Sequence, residues 1–273
     1  TTEMSGMSKD AFDSYLFLDG KTKEHTIYPN TDVAVKKKSA ADNKDHLNIK
    51  DVLSVRDKRL ALTIDSVLCY GDGWPRIAGG QPMTSSSGYG ICKYDNVAID
   101  PNYRQQTSSN YTSAPLYWLA VIYLNYAEAK AELGTITNDD LENTINKLKK
   151  RAGLPPITKD VADAGDNDMG VSPLIWEIRR ERRCELMFDN DFRYWDLIRW
   201  HQLDKLDNSV NPDILLGANV SNDPDINHDK SGDYIDGSTG RIRAFEAKHY
   251  LYPIPSGQLT LNSNMSQNPL WVE

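Results

Sequence analysis

The sequence predicts a mainly α-helical fold with long irregular loops and a few short strands. Apolar residues recur at helical spacing in segments 115–133 and 139–153, and a charge-dense region at 172–206 follows the same period. The rest of the chain is rich in turn-forming residues, with 13 Pro and 17 Gly among 273 residues. Hydrophobic residues make up 39% of the chain, which is enough apolar surface for a sizeable core.

Residues 1–114 are predicted to form a loop-rich region with one short β-hairpin. The run LALTIDSVL at 60–68 favours a strand, and ICKYD at 91–95 favours its returning partner. Segment 60–95 is therefore interpreted as a hairpin with a long tip. The charged segment 34–45 predicts a solvated loop or a short exposed helix.

Residues 115–206 are predicted to form a helical core. The helix at 115–133 is expected to stop at Gly134, and the helix at 139–153 at Gly153, because glycine favours the left-handed conformation that ends helices. Two antiparallel helices with a short turn form one helical hairpin, which resembles a tetratricopeptide unit although the full repeat pattern is absent.

A third helix is predicted to begin at Ser172, a good N-cap, with Pro173 at the first helical position. A fourth follows at 192–206, and the two helices carry six arginines and three tryptophans by residue 200. Arginines beside carboxylates could belong to a glycosidase, but buried Arg–carboxylate pairs also join helices, and we favour this structural role. Residues 207–273 are expected to be irregular, with a short strand near 249–252.

Composition excludes several classes of protein. The net charge is −8 and no basic stripe stands alone, so nucleic acid is not expected as a partner. No apolar run reaches the ~18–20 residues that span a bilayer, and no signal peptide opens the chain. The five histidines are scattered and no C-x-x-C occurs, so no metal site of the usual spacing and no cofactor are predicted.

Five motifs in order resemble the SusD/RagB family. They are RDKRL at 56–60, YLNYAEAK at 123–130, IRRERRCEL at 178–186 with FRYWDLIRW at 192–200, YLYPIP at 250–255 and QNPLW at 267–271. Ordered matches over residues 50–273 are more specific than any single short motif.

The resemblance implies a non-enzymatic, SusD-like protein with tetratricopeptide-like hairpins. Such proteins of Bacteroidetes are anchored by a lipidated N-terminal cysteine at the extracellular face of the outer membrane. They bind glycans, or peptides in some members, and deliver them to a SusC-like TonB-dependent transporter. This chain is interpreted as the C-terminal half of such a lipoprotein, with the N-terminal half as a partner. A third alternative is a helical scaffold that only docks to the transporter.

The segment 71–90 is the predicted ligand loop. Sugars bind to aromatic platforms and planar polar side chains, and this loop with its flanks carries both types. The predicted ligand-binding residues are Tyr70, Trp74, Arg76, Gln81, Tyr89 and Tyr94. The alternative is that Trp74 fastens the loop to the core, because aromatic side chains are usually buried.

Two further features near loops leave alternatives open. Cys69 and Cys92 bracket the ligand loop, either as a disulfide or as two buried thiols. The run 225–236 resembles the spacing of a calcium loop, although the glycine at its sixth position is missing. A solvated acidic turn is favoured over a calcium site built from Asp225, Asn227, Asp229, Asp233 and Asp236.

Overall fold

The computed structural model describes residues 6–29, 32–38, 45–68, 85–96, 98–100, 103, 111, 113, 115–223, 230–238 and 240–271. Within them, the mainly α-helical fold with a few short strands is confirmed. The helices are α1 (Lys9–Asp13), α2 (Lys50–Ser54), α3 (Lys58–Thr63), α4 (Leu119–Glu132), α5 (Asn138–Asn143), α6 (Ile145–Ala152), α7 (Pro173–Glu185), α8 (Phe192–Arg199) and α9 (Ser256–Leu261). The strands are β1 (Val35–Lys38), β2 (Asp45–Asn48), β3 (Leu216–Asn219), β4 (Lys230–Ser231) and β5 (Tyr234–Asp236).

The predicted helical hairpin is present, with two differences. Helix α4 begins at Leu119 rather than near 115, because Trp118 has an extended backbone. The second predicted helix is divided into α5 and α6 at Thr144, whose backbone leaves the helical region (φ −129°, ψ −91°). Gly153 ends α6 in the left-handed conformation (φ 80°), as its type predicts.

The arginine-rich helices also differ partly from the prediction. Helix α7 begins as predicted, with the Ser172 side chain accepting a hydrogen bond from the Ile175 N–H and Pro173 in the first turn. Helix α8 ends at Arg199, well before 206, because His201 has a positive φ of 53°. A separate 3-10 helix follows at Leu203–Leu206.

The strand predictions in the N-terminal region are wrong in detail. Residues 58–63 form helix α3, which the Asp57 side chain caps by accepting a hydrogen bond from the Arg59 N–H. What remains of the predicted hairpin is an isolated antiparallel bridge between Ile64 and Ile91. The segment expected to be a solvated loop or an exposed helix contains β1, which pairs antiparallel with β2.

The C-terminal region is more ordered than predicted. Strands β3, β5 and β4 form a small antiparallel sheet in that order. The short strand expected near 249–252 is instead a 3-10 helix at Ala247–Tyr250. Among the described residues, no helix has the length and apolar character that a membrane crossing requires.

Helix α7 lies between two apolar cores. One core includes Phe12, Tyr15 and Leu60 of the N-terminal region and receives Cys184 from α7. The other joins α4, α5 and α6 and receives Ile178 and Leu186. Because α7 supplies apolar side chains to both cores, its charged side chains lie at the boundary between them.

Candidate functional site

The charged side chains of α7 form ion pairs with several other elements. Arg59 of α3 donates to Glu181 at 2.6 Å and to Glu185 at 3.0 Å, and its other edge contacts Asp57 at 2.6 Å. Arg180 of α7 forms a bidentate pair with Asp166, with both N–O distances 2.5 Å. These contacts join α7 to the N-terminal region and to the loop before it.

A second group of ion pairs joins α4, α7 and α8. Arg199 donates to both carboxylate oxygens of Glu128, at 2.8 and 2.6 Å, and the Trp200 indole N–H donates to the same carboxylate at 2.6 Å. Burial alone would raise the pKa of Glu128, yet the hydrogen bonds and charge of Arg199 outweigh it and lower that pKa. A carboxyl group held ionised in this way is not a general acid, so the structural role predicted for these arginines is supported.

The turn between α7 and α8 has an unusual backbone. Three of its non-glycine residues have positive φ angles: Phe188 (61°), Asn190 (39°) and Asp191 (54°). Such conformations cost energy and persist only where surrounding contacts hold them. Lys93 supplies such contacts, since its ammonium group donates to the Met187 carbonyl at 2.7 Å and to Asp189 at 2.9 Å.

A cavity of about 510 Å³ lies beside this turn, and we call it the turn cleft. Its volume falls in the range of about 300–1,000 Å³ that is usual for small-ligand sites. The side chains that line it include Phe188, Asn190, Asp191, Phe192, Arg193 and Tyr194 from the turn and α8, and Asp10, Arg183, Lys205 and Arg243 from elsewhere.

Among the charged side chains that line the turn cleft, Arg193 has an unusual environment. It also lines a neighbouring cavity of about 180 Å³, so its side chain lies between two open spaces. Within the described part of the chain its guanidinium makes no hydrogen bond and no ion pair, whereas the neighbouring Arg183 is paired with Asp10. Burial and the positive charge of Arg183 lower the pKa of Arg193 to about 9.

Tyr194, which lines the cleft, contacts two other aromatic side chains, and we call the three the aromatic cluster: Tyr194, Trp195 and Tyr252. The Tyr194 and Trp195 rings pack edge to face with centroids 5.5 Å apart. The hydroxyl groups of Tyr194 and Tyr252 are 3.0 Å apart. Trp195 remains 55% exposed and Tyr252 65% exposed, so both rings offer apolar surface to a ligand.

Four of the predicted ligand-binding residues, Tyr70, Trp74, Arg76 and Gln81, lie outside the described residues. The fifth, Tyr89, is 1% exposed and stacks on Phe12 with ring centroids 4.7 Å apart, so it presents no face to solvent. The sixth, Tyr94, is 48% exposed and donates a hydrogen bond to Asp189 at 2.6 Å. Tyr94 therefore lies next to the turn cleft.

The end of the predicted ligand loop also lies near this site. Ser86 and Ser87 line a cavity of about 370 Å³, which shares Gly6, Ser8, Ile214 and Arg243 with the turn cleft. The two cavities are therefore neighbours. The described end of the predicted loop therefore lies next to the turn cleft.

The residues of the calcium and disulfide alternatives lie largely outside the described part of the chain. Asp225, Asn227, Asp229 and Cys69 lie outside the described part. Asp233 is exposed, and Asp236 accepts hydrogen bonds from the Ser238 N–H and hydroxyl at 2.8 and 2.5 Å. No cluster of His, Cys, Asp and Glu suited to a metal occurs among the described residues.

The sequence did not single out the aromatic cluster or Arg193 as functional. All of FRYWDLIRW was assigned to helix packing, and that is correct for Asp196 and Arg199. Tyr194 and Trp195 are adjacent in a helix, so their side chains cannot both point into one core. This adjacency was the signal in the sequence that one of the two rings lies outside the core. The contribution of Tyr252 had no such signal, because it comes from a distant part of the chain.

The fold and site define a helical-hairpin protein with a loop-rich flank and an open, aromatic-lined cleft. The model of the SusD family matches residues 3–271. The chain therefore belongs to the SusD family. The comparison with curated proteins gives no match.

Solved structures show the same fold. A SusD-like protein from Bacteroides fragilis superposes with a TM-score of 0.58 at 20% identity, covering 97% of this chain and 47% of that one. A SusD-like carbohydrate binding protein from the same species gives a TM-score of 0.59 at 22% identity, with 95% and 48% covered. The chain spans about half the length of the structures it matches.

Proposed function

We propose that this chain binds glycans non-covalently through the turn cleft and the aromatic cluster. The observation that carries the proposal is that Tyr194 lines a cavity of about 510 Å³ with polar side chains and contacts Trp195 and Tyr252, whose rings are exposed. A pyranose ring has an apolar C–H face that packs on an aromatic ring, while its hydroxyl groups bond to polar groups alongside.

The polar groups needed for sugar hydroxyls are present in the cleft. Asn190 offers an amide, which can donate and accept, and Arg193 offers guanidinium donors that no protein group uses within the described chain. Asp191, exposed at the start of α8, adds an acceptor. This arrangement suits a short stretch of an oligosaccharide held at the surface.

We propose further that the bound glycan is delivered to a SusC-like TonB-dependent transporter at the bacterial cell surface. The support is membership of the SusD family, whose model matches residues 3–271 of this chain. The same membership supports an outer-membrane lipoprotein as the whole protein. Catalysis is not part of the proposal, since Glu128 and Glu185 have lowered pKa values: the hydrogen bonds and charges of their arginine partners outweigh the opposing effect of burial.

The test is a glycan-binding titration of the 273-residue chain and two variants, Trp195→Ala and Tyr252→Ala. Each substitution is expected to weaken binding by about tenfold, because each removes a stacking surface. Tyr117→Ala is the matched control, since Tyr117 is 95% exposed and is not part of the aromatic cluster. Variants that bind as tightly as the wild type would place the ligand elsewhere.

The same titration distinguishes the cluster from the predicted loop. If Trp74→Ala abolishes binding while Trp195→Ala leaves it unchanged, the ligand lies on the loop and the proposal for the cluster is wrong. If a peptide mixture binds and no glycan does, the ligand class is wrong. Product analysis after long incubation tests the non-catalytic part, because cleaved sugar would contradict it.

A second function, docking to the transporter as a helical scaffold, is supported by α4. One face of this helix buries Ala120, Leu124 and Ala127, while Leu119 and Ile122 on the other side are more than half exposed. A helix that is apolar on both sides is usually buried in a larger assembly. Recovery of an Ile122→Asp variant with a SusC-like transporter from membranes tests this: reduced recovery supports docking, and unchanged recovery rejects it.

A further inference from the structure

We infer that the glycan bound in the turn cleft carries an anionic group, a carboxylate or a sulfate, and that Arg193 binds that group. This inference rests on the proposed function and names the class of its ligand. Arg193 lines both the turn cleft and the cavity next to it, and no protein group within the described residues satisfies its guanidinium.

Several of the charged side chains around the cleft already have an ion-pair partner in the protein. Lys205 is bound to Asp168, with its ammonium group 2.6 Å from the carbonyl and 3.1 Å from the carboxylate. Arg183 is paired with Asp10, and Asp189 is held by Lys93 at 2.9 Å and by Tyr94 at 2.6 Å.

Among the described side chains that line the cleft, the cations with no hydrogen bond or ion pair are Arg193 and Arg243, and the corresponding acid is Asp191. Arg243 is exposed, and it lines both the turn cleft and the neighbouring cavity of about 370 Å³, where Arg241 is also found. Among these groups, positive charges outnumber negative ones in the turn cleft and the neighbouring cavity, although the net charge of the chain is −8.

A guanidinium that is partly buried and unpaired loses hydration without gaining a partner. The lowered pKa of Arg193, caused by burial and by Arg183, agrees with this description. A carboxylate or sulfate oxygen in the cleft would supply the missing acceptor, and the planar fork of the guanidinium fits such anions in a bidentate manner. A neutral sugar would leave the guanidinium without an anionic hydrogen-bond partner, because Asp10, Asp168 and Asp196 favour its charge without bonding to it.

The experiment compares matched acidic and neutral probes by calorimetric titration. One pair is an oligogalacturonate and its carboxyl-reduced form; the other is a chondroitin sulfate oligosaccharide and its desulfated form. We expect at least one acidic probe to bind about tenfold or more tightly than its neutral partner, as one charge-assisted bidentate contact would give. The two pairs distinguish a carboxylate from a sulfate.

Two variants assign the effect to a residue. Arg193→Gln is expected to reduce the affinity for the acidic probe to that for its neutral partner, while Arg193→Lys retains part of the difference. Lys159→Gln is the control, because it removes one positive charge from an exposed pair with Asp160 away from the cleft. Circular dichroism and the melting temperature verify that each variant is folded.

Each outcome has one meaning. Equal binding of acidic and neutral probes overturns the anionic ligand and leaves the proposed glycan function standing. A preference for acidic probes that survives in Arg193→Gln overturns the assignment to Arg193. Absence of binding to every probe, extended to a panel of neutral glycans, overturns the proposed function and this inference together.

Discussion

Arg182 and Asp196 form a buried ion pair that joins α7 to α8, with Nε donating to Oδ2 at 2.6 Å. Arg182 also donates to Asn125 of α4 at 2.8 Å, and Asp196 accepts from Arg199 at 2.9 Å. One side chain of α7 thus contacts two other helices.

Replacing Arg182 by alanine is expected to lower the free energy of unfolding by ~3–5 kcal/mol, because Asp196 would remain buried without its main partner. Chemical denaturation measures the loss. Lys159→Ala serves as the control, since its pair with Asp160 is exposed and such pairs contribute only ~0–1 kcal/mol. Similar unfolding midpoints for the wild type and Arg182→Ala would contradict the structural role of this network.

Stability is expected to depend on Glu128 in acid. Its pKa is lowered in the folded chain from an ordinary value near 4.5, so its contribution is present above that pH and is lost as the pH falls through the folded pKa. The difference in melting temperature between the wild type and Glu128→Gln is therefore expected to be largest near pH 7 and to shrink below about pH 4.5. A difference that stays constant from pH 7 to pH 3 is the contrary result.

Gly217 in β3 is expected to tolerate no side chain. A Cβ at this position would lie 2.1 Å from the backbone oxygen of Ser87, which accepts a hydrogen bond from the Ala218 N–H. Gly217→Ala is expected to destabilise the fold by ~1–3 kcal/mol, as overpacking does. Gly257→Ala is the matched control, because no atom lies within 4 Å of its Cβ position; comparable melting temperatures for the two variants would refute the prediction.

The thiol of Cys184 is expected to be unreactive in the folded chain. The residue is 4% exposed, and burial raises the pKa of its thiol to about 12. Wild type and Cys184→Ser are therefore expected to show the same number of thiols reacting with Ellman's reagent before unfolding, and to differ by one in guanidinium chloride. A difference of one thiol in the native state would mean that Cys184 is accessible.

The sequence predicted those elements that local chemistry determines. Ser172 and Pro173 mark the start of α7, and Gly153 marks the end of α6, since a cap, a fixed φ and a left-handed residue act within one turn. The helix at Lys58–Thr63 was missed because its apolar spacing is also that of a strand, and its ion pair with the distant Glu181 is not visible in the local pattern.

The candidate site was less predictable for a similar reason. The cleft forms where α1, the turn before α8 and the chain near residues 214 and 243 meet, and no local pattern encodes that meeting. Tyr194 and Tyr252 are 58 positions apart. Of the predicted ligand-binding features, Tyr94 lies next to the cleft, and the end of the predicted loop at Ser86 and Ser87 lines the neighbouring cavity.

Ion pairs of α7 hold the chain before residue 68 to the chain after residue 115, independently of the backbone between them. Arg59 and Asp10, both N-terminal to that interval, pair with Glu181 and Arg183. A single proteolytic cut within 71–84 would thus yield two polypeptides still joined by one buried and one partly buried ion pair and by a shared core. We expect such a nicked protein to migrate as one species on native gels and to separate only in denaturant. Side-chain contacts, rather than an intact backbone, would then hold the two pieces together.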